Sequence, residues 1–195
     1  MSVQVRPATP DRWSDLVRVF GRSGEDPSWC WCRRCLRSAP HGCAAFEATP
    51  NNREALRQEI TDAPVPRGLL AYFHDQPVGW TRVGPRSDFP SVSGNRALAK
   101  VLLEDPGAWW VYCFAVGARH RRSGIGSTLL KAAVASAREH GATAVEGHPV
   151  DVAALSAATV GGSAIFTGTI GMFSAAGFAE VARTYPSRPV MRRVV

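Results

Sequence analysis

One stretch narrows the folds open to this chain more than any other. It runs Trp109-Trp-Val-Tyr-Cys-Phe-Ala-Val116, then Gly-Ala-Arg-His, Arg121-Arg-Ser-Gly-Ile-Gly126 and Ser127-Thr-Leu-Leu-Lys131. The first part is apolar, aromatic and β-branched, which predicts a buried strand. The last part opens a helical pattern, with Ile125, Leu129, Leu130, Ala133, Val134 and Ala137 on one face. Three glycines and three arginines lie between. A strand that passes through a Gly-rich turn into a helix N-terminus makes an anion site. The N–H groups from Ser123 to Ser127 have no intrahelical acceptors, and the helix dipole adds partial positive charge. Glycine at 124 and 126 removes the Cβ atoms that would hold a phosphate away, and Arg121 and Arg122 add full charges at the rim. The expectation is a pyrophosphate cradle.

The Rossmann pattern Gly-x-Gly-x-x-Gly and the Lys-Ser/Thr ending of a P-loop are both missing. What stands here is Arg121-x-x-Gly124-x-Gly126, beginning five residues after Val116. With the strand before it and the amphipathic helix after it, this resembles the acetyl-coenzyme A signature of the GNAT superfamily of N-acetyltransferases. A second stretch, Met172-Phe173-Ser-Ala-Ala-Gly177-Phe178, resembles that family's helix ending in a Gly-Phe step. The resemblance implies one α/β domain over 1–195, with a mixed, mostly antiparallel sheet and helices on both faces. It also implies transfer of an acetyl group from acetyl-CoA to a primary amine by direct attack in a ternary complex. Phe114, Ala115 and Val116 would offer main-chain groups to the pantetheine, and a free N–H near Phe114 would stabilise the oxyanion. Arg121, Arg122, Ser123, Gly124, Ile125, Gly126 and Ser127 would hold the pyrophosphate, with Phe173 also beside the cofactor.

The chain departs from the family at the acid and the base. Many relatives carry a tyrosine where Phe173 stands, and phenylalanine has no proton for a leaving thiolate. The family's frequent asparagine is here Phe166, and its frequent glutamate on the strand before the cradle is Val111. The next carboxylate on a neighbouring strand is Glu146, which needs a partner or a purpose inside an apolar run. Glu146 and Tyr112 are therefore the catalytic candidates, Glu146 also as a substrate contact, with a structural ion pair as its alternative. His148 shares its face, and Cys113 and His120 are lesser candidates. A covalent intermediate on Cys113 is the lesser route. A coenzyme A-binding sensor without turnover is the rival reading, favoured by the missing tyrosine and glutamate, and a zinc-bearing regulator is the third.

The rest of the chain divides into short elements. Val3 to Arg6 reads as a strand, and Trp13, Leu16, Val17 and Phe20 as the face of a helix capped by Thr9 or Asp11. A polar helix is expected over 51–62 and a hairpin from 69–73 and 78–83. The stretch 84–107 reads as a long substrate-side loop, helical only near 96–103. A strand is expected at 142–147, a helix at 164–176, and a final hairpin from 178–183 and 189–195. The segment 28–50 holds Trp29, Cys30, Trp31, Cys32, Cys35, His41 and Cys43. These suffice in number for tetrahedral zinc, but Cys-x-Cys-x-x-Cys lacks paired Cys-x-x-Cys spacing. An aromatic lining for the acceptor through Trp29 and Trp31, or plain packing, are the alternatives; no metal is expected. A cytosolic disulfide is not expected.

Arg82, with Arg86 and Asp88, is placed beside the acceptor by family geometry. The loop and the Trp-Cys segment suggest a closed cleft, hence a small-molecule amine. The 195 residues carry 23 Lys and Arg against 16 Asp and Glu, a net charge of +7, which a polyanionic coenzyme A partly explains. No basic run interleaves with aromatics, which argues against nucleic acid. No apolar run is long enough to span a membrane, and a cytoplasmic location is expected. The oligomeric state, a homodimer among the options, is not fixed by the sequence.

Overall fold

The apolar runs assemble into one seven-stranded sheet of order β1-β2-β3-β4-β5-β7-β6. A computed structural model describes residues 3–27, 29–33, 51–155 and 165–195. The strands are β1 (Val3–Pro7), β2 (Gly68–Phe73), β3 (Gln76–Pro85), β4 (Ala108–Val116), β5 (Ala144–Gly147), β6 (Ala179–Tyr185) and β7 (Arg188–Val194). All neighbours are antiparallel except β4 and β5. A parallel pair needs a crossover, and the long amphipathic helix supplies it.

The helices are α1 (Trp13–Phe20), α2 (Asn52–Asp62), α3 (Pro90–Ser93), α4 (Arg96–Ala99), α5 (Ile125–Glu139) and α6 (Ile170–Ala175). One sheet face packs Leu69, Val83, Trp109, Val111 and Val145 against Leu129, Leu130, Ala133 and Ala137 of α5 and Phe173 of α6. The other packs Leu70, Tyr72 and Trp80 against Leu16 and Phe20 of α1 and Leu56 and Ile60 of α2. Helices thus cover both faces, as expected.

Local chemistry fixes the element ends. Asn51 Oδ1 accepts the Glu54 N–H at 3.1 Å and caps α2. At the end of α5, Gly141 N–H reaches Arg138 O at 3.0 Å and Ala142 N–H reaches Ala137 O at 3.0 Å, a Schellman closure. This turn delays β5 to Ala144, two residues later than expected.

Two segments differ from the sequence expectation. The stretch 84–107 is packed structure: β3 runs on to Pro85, and α3 and α4 follow. Phe89, Val92 and Leu98 bury against Trp110 and Val190 in a third apolar cluster. Its Pro, Ser and Gly residues mark the ends of one-turn helices. The helix expected over 164–176 begins only at Ile170, because Gly168 is left-handed (φ 86°) and Thr169 Oγ1 then caps the Met172 N–H at 3.3 Å. Residue 164 lies outside the described residues.

Candidate active site

Beyond Val116 the chain makes one 3-10 turn at Ala118–His120 and then builds a row of open donors. Arg122 and Gly124 both adopt left-handed backbones (φ 60° and 84°), and Gly124 immediately precedes α5. A left-handed arginine costs about 1 kcal/mol, which the turn must offset. Ser123 Oγ helps by donating to His120 O at 2.5 Å. The helical ladder starts only with the Thr128 N–H, which reaches Gly124 O at 3.0 Å. Among the described residues, the N–H groups from Arg122 to Ser127 meet no acceptor. A Cβ on Gly124 would meet nothing within 4 Å, so the space before the row is open. A Cβ on Gly126 would meet Met172 Sδ at 3.2 Å; this glycine admits α6 beside α5.

Arg121 Nε donates to Val116 O at 3.3 Å, tying the loop to the strand end. Among the described residues Arg119, Arg121 and Arg122 enter no ion pair, whereas Arg33, Arg67, Arg82, Arg86, Arg183 and Arg192 all do. Open N–H donors at a helix N-terminus beside unpaired guanidinium groups fit a diphosphate.

The strand that leads here is split along its length. β4 pairs with β5 only through Ala108, Trp109 and Trp110. Its outer half keeps β3 on one edge and faces a cleft on the other. Thr81 lies opposite Phe114 and Arg82 opposite Tyr112, so Cys113 is the extra residue of a β-bulge (φ 59°). The bulge shifts the alternation: Tyr112 and Cys113 both turn to the α1–α2 face, and Phe114 and Val116 turn to the α5 face. Residues 165–169 run within the cleft. Phe114 N–H donates to Phe166 O at 2.7 Å, and Val150 N–H to Gly168 O at 3.0 Å. The Phe114 donor expected to be free is therefore held by the Phe166 carbonyl.

The other expected site residues separate into two groups. Phe114, Ala115, Val116 and the loop from Arg121 to Ser127 lie together, half-buried or exposed apart from the buried Ile125. The Phe114 N–H turns to Phe166 O and the Val116 carbonyl to Arg121 Nε, away from β3, whereas the Gly117 N–H turns back to Val78 O of β3. Phe114 and Val116 are therefore the residues on the cleft edge. Tyr112 is half-buried, with its ring 5.4 Å from that of Phe166.

Several candidates instead sit in packed or ion-paired positions. Glu146 is 1% exposed; Oε2 accepts from Arg86 Nη1 at 2.7 Å and Oε1 from Arg192 Nη1. Arg86 also donates to Leu103 O and Asp105 O at 2.9 and 3.1 Å, and Arg192 also pairs with Asp105. The hydrogen bond from Arg192 holds the Asp105 carboxyl below its ordinary value. Glu146 thus has its structural alternative. Arg82 is buried and bound to Glu59, which also pairs with Arg33, while Asp88 pairs with Arg67. Arg82, Arg86 and Asp88 are thus each engaged in an ion pair within the fold.

Trp31 has no exposed surface; it stacks on Trp13 at 5.6 Å and donates Nε1–H to Asp26 O at 3.0 Å. It is core rather than cleft lining, whereas Trp29 is half-buried against Phe20 at 5.1 Å. Phe173 is likewise fully buried, 4.9 Å from Phe178 and stacked over Gly147, where a Cβ would lie 2.5 Å from its ring. That burial takes it out of a cofactor's reach. His148 Nε2 contacts Thr184 Oγ1 at 2.7 Å and Arg188 O at 3.2 Å. Burial, with Arg188 beside it, lowers its pKa to about 4. Cys35, His41 and Cys43 of the zinc alternative lie outside the described residues. Among the described residues no three His, Cys, Asp or Glu side chains gather as a metal site.

Neither the Phe166 carbonyl on Phe114 nor Met172 against Gly126 has a local sequence signal. The bulge left only a faint trace, since Trp110 is as apolar as Trp109 and the shift in alternation is hidden.

The sequence model of the Acetyltransferase (GNAT) family matches residues 26–157. The fold is similar to the GNAT domain of PAT from S. lividans at TM-score 0.59 and 16% identity, covering 100% of this chain and 92% of that one. It is similar to the ribosomal-protein-alanine N-acetyltransferase of Brucella melitensis at TM-score 0.53 and 19% identity, covering 98% and 99%. An aminoglycoside acetyltransferase, AAC(6')-Ib, in complex with coenzyme A matches at TM-score 0.55 and 14% identity, covering 99% and 95%. A sequence search of curated proteins returns no match.

Proposed function

The chain belongs to the GNAT acetyltransferase family, and from that premise we propose that it moves the acetyl group of acetyl-CoA to a primary amine of a small molecule. The observation that carries this reading is the open N–H row from Arg122 to Ser127, set just beyond the half of β4 that no longer pairs with β5. The pyrophosphate of the substrate would rest on that row, with Arg121 and Arg122 at its rim. The pantetheine would follow the cleft edge of β4 at Phe114 and Val116. The Phe166 carbonyl would then leave the Phe114 N–H, which becomes available to a developing oxyanion.

The neutral amine attacks the thioester carbonyl carbon; the N–C bond forms and the C–S bond breaks. The amine's proton passes to solvent, and the leaving thiolate takes one. Tyr112 is the proposed donor, supported by its half-buried place on the cleft strand beside Cys113. Removing a positioned proton donor costs roughly 10²-fold or more in rate. For the acceptor, half-buried Trp29, Tyr112 and Phe166 border one apolar cluster and suit an amine with an apolar part.

The second reading, a coenzyme A-binding sensor, is favoured by one observation: the Phe114 N–H already has an acceptor. Thiol release from acetyl-CoA across a panel of amines, amino acids, aminoglycosides and peptides separates the two. Turnover with one small-amine class is expected. Gly124→Trp should weaken acetyl-CoA binding at least tenfold by filling the open space, and Tyr112→Phe should lower kcat with binding intact. Binding without turnover on any amine would move the conclusion to the sensor. No binding at all would remove both.

A further inference from the structure

The two thiols beneath the β4 bulge have no part in the acyl-transfer reading. Cys32 Sγ and Cys113 Sγ lie 2.7 Å apart in the buried cluster between the sheet and helices α1 and α2. Trp80 Nε1–H donates to Cys32 Sγ at 3.0 Å, and Arg82 Nη1 lies 3.5 Å from Cys32 O. Packing alone does not require the backbone that aims them at each other. Arg33 N–H bonds Cys30 O at 2.7 Å across a turn whose two central residues, Trp31 and Cys32, both have positive φ (40° and 53°). Cys113 is itself left-handed at 59°. Three bulky or β-substituted residues in an unfavoured region converge on one sulfur pair. Strain of this kind persists only where the surroundings hold it, and it clusters at working sites.

We propose that Cys32 and Cys113 form a reversible oxidation site, closed to a disulfide by a peroxide. Cys113 is 9% exposed and Cys32 2%, so an oxidant meets Cys113 first. The Cys113 sulfur attacks one peroxide oxygen, the O–O bond breaks, and Cys113 becomes a sulfenic acid as one water leaves. The Cys32 sulfur then attacks the Cys113 sulfur. The S–S bond forms, the S–O bond breaks, and the hydroxyl leaves as a second water with the Cys32 proton. Two thiols have lost two protons and two electrons to hydrogen peroxide, and a dithiol reductant reverses the change. The bond requires about 2.05 Å between the sulfurs, so the closing movement is under an ångström shared between a turn and a bulge. The chemistry stands apart from acyl transfer: either can fail without the other. A pair of this type in a reducing compartment is a sensor rather than a staple.

The test uses the full chain, reduced, exposed to limiting hydrogen peroxide, alkylated and digested without reduction for mass spectrometry. The expected product is a peptide pair joining Cys32 to Cys113. It spans 81 positions of sequence, so Tm should rise by about 5–15 °C and fall back with dithiothreitol. A variant with Cys30→Ser, Cys35→Ser and Cys43→Ser, which keeps both members of the pair, should crosslink equally. Recovery of Cys32 and Cys113 as free thiols at doses that oxidise Cys30 would overturn the proposal. So would linkage of either to Cys30, Cys35, Cys43 or a second chain.

Discussion

Glu146 is a carboxylate between two guanidinium groups, with 1% of its surface exposed. Both of its oxygens accept charge-assisted hydrogen bonds from these groups, so the carboxylate is held in place by the fold. Glu146→Gln leaves Arg86 and Arg192 partly unpaired, and breaking a buried pair costs about 3–5 kcal/mol. Gln offers one acceptor oxygen to two arginine donors and turns its NH2 toward the other, so a loss of about 3 kcal/mol is expected in denaturant unfolding. The rate constants of the surviving folded enzyme should stay within threefold. A drop in kcat of a hundredfold at unchanged stability would restore Glu146 as the base. The sequence stated the dilemma, an ionised group in an apolar strand, but its solution comes from Arg86 sixty positions before it and Arg192 forty-six after. Pairing across three separate stretches leaves no local pattern. Arg82 with Glu59 and Asp88 with Arg67 escaped for the same reason.

At the scale of elements, β4 and the segment 165–169 form one unit. The strand and the anion loop were legible in sequence because both depend on neighbours: a run of apolar residues, then glycine and arginine at fixed spacing. The start of α6 was not, because the left-handed backbone of Gly168 and the Thr169 cap that set it are conformations rather than a residue pattern. The stretch 84–107 read as loop since a one-turn helix carries too few residues to show a period; Phe89, Val92 and Leu98 reveal their burial only against Trp110 and Val190. The unit makes a prediction of its own. If a pantetheine lies along β4, it must displace Phe166 O from Phe114 N–H, now 2.7 Å away. Titration with coenzyme A, followed by amide NMR, should shift the Phe114 and Gly168 resonances together with those of Arg122 to Ser127. Shifts confined to the loop, with Phe114 unmoved, would show that the pantetheine takes another path.

Across the whole molecule, the acid limit of stability rests on groups that the fold holds away from their ordinary titration. His148 is the largest resolved case in the physiological range. Burial and the Arg188 charge lower its pKa from 6.5 to about 4, and its ring bonds Thr184 and the Arg188 carbonyl as a neutral base. Above pH 6.5 the folded and unfolded chains both carry it neutral, and its full contribution is present. As pH falls below 6.5 the unfolded chain takes up the proton, while the folded chain refuses it until about pH 4, so stability falls across that window. The shift corresponds to about 3 kcal/mol at the lower end and about 2 kcal/mol at pH 5. Asp105, held low chiefly by the Arg192 hydrogen bond, gives way only below the ordinary aspartate range, after His148 has charged. Denaturant unfolding at pH 7.5 and pH 5.0 should therefore show a loss that His148→Asn largely removes. The variant will be less stable at pH 7.5, since Asn lacks the ring that fills the site, but its two values should lie close together. Equal pH dependence in both proteins would mean that His148 is protonated in the folded state near its ordinary value, with Arg188 turned away from it.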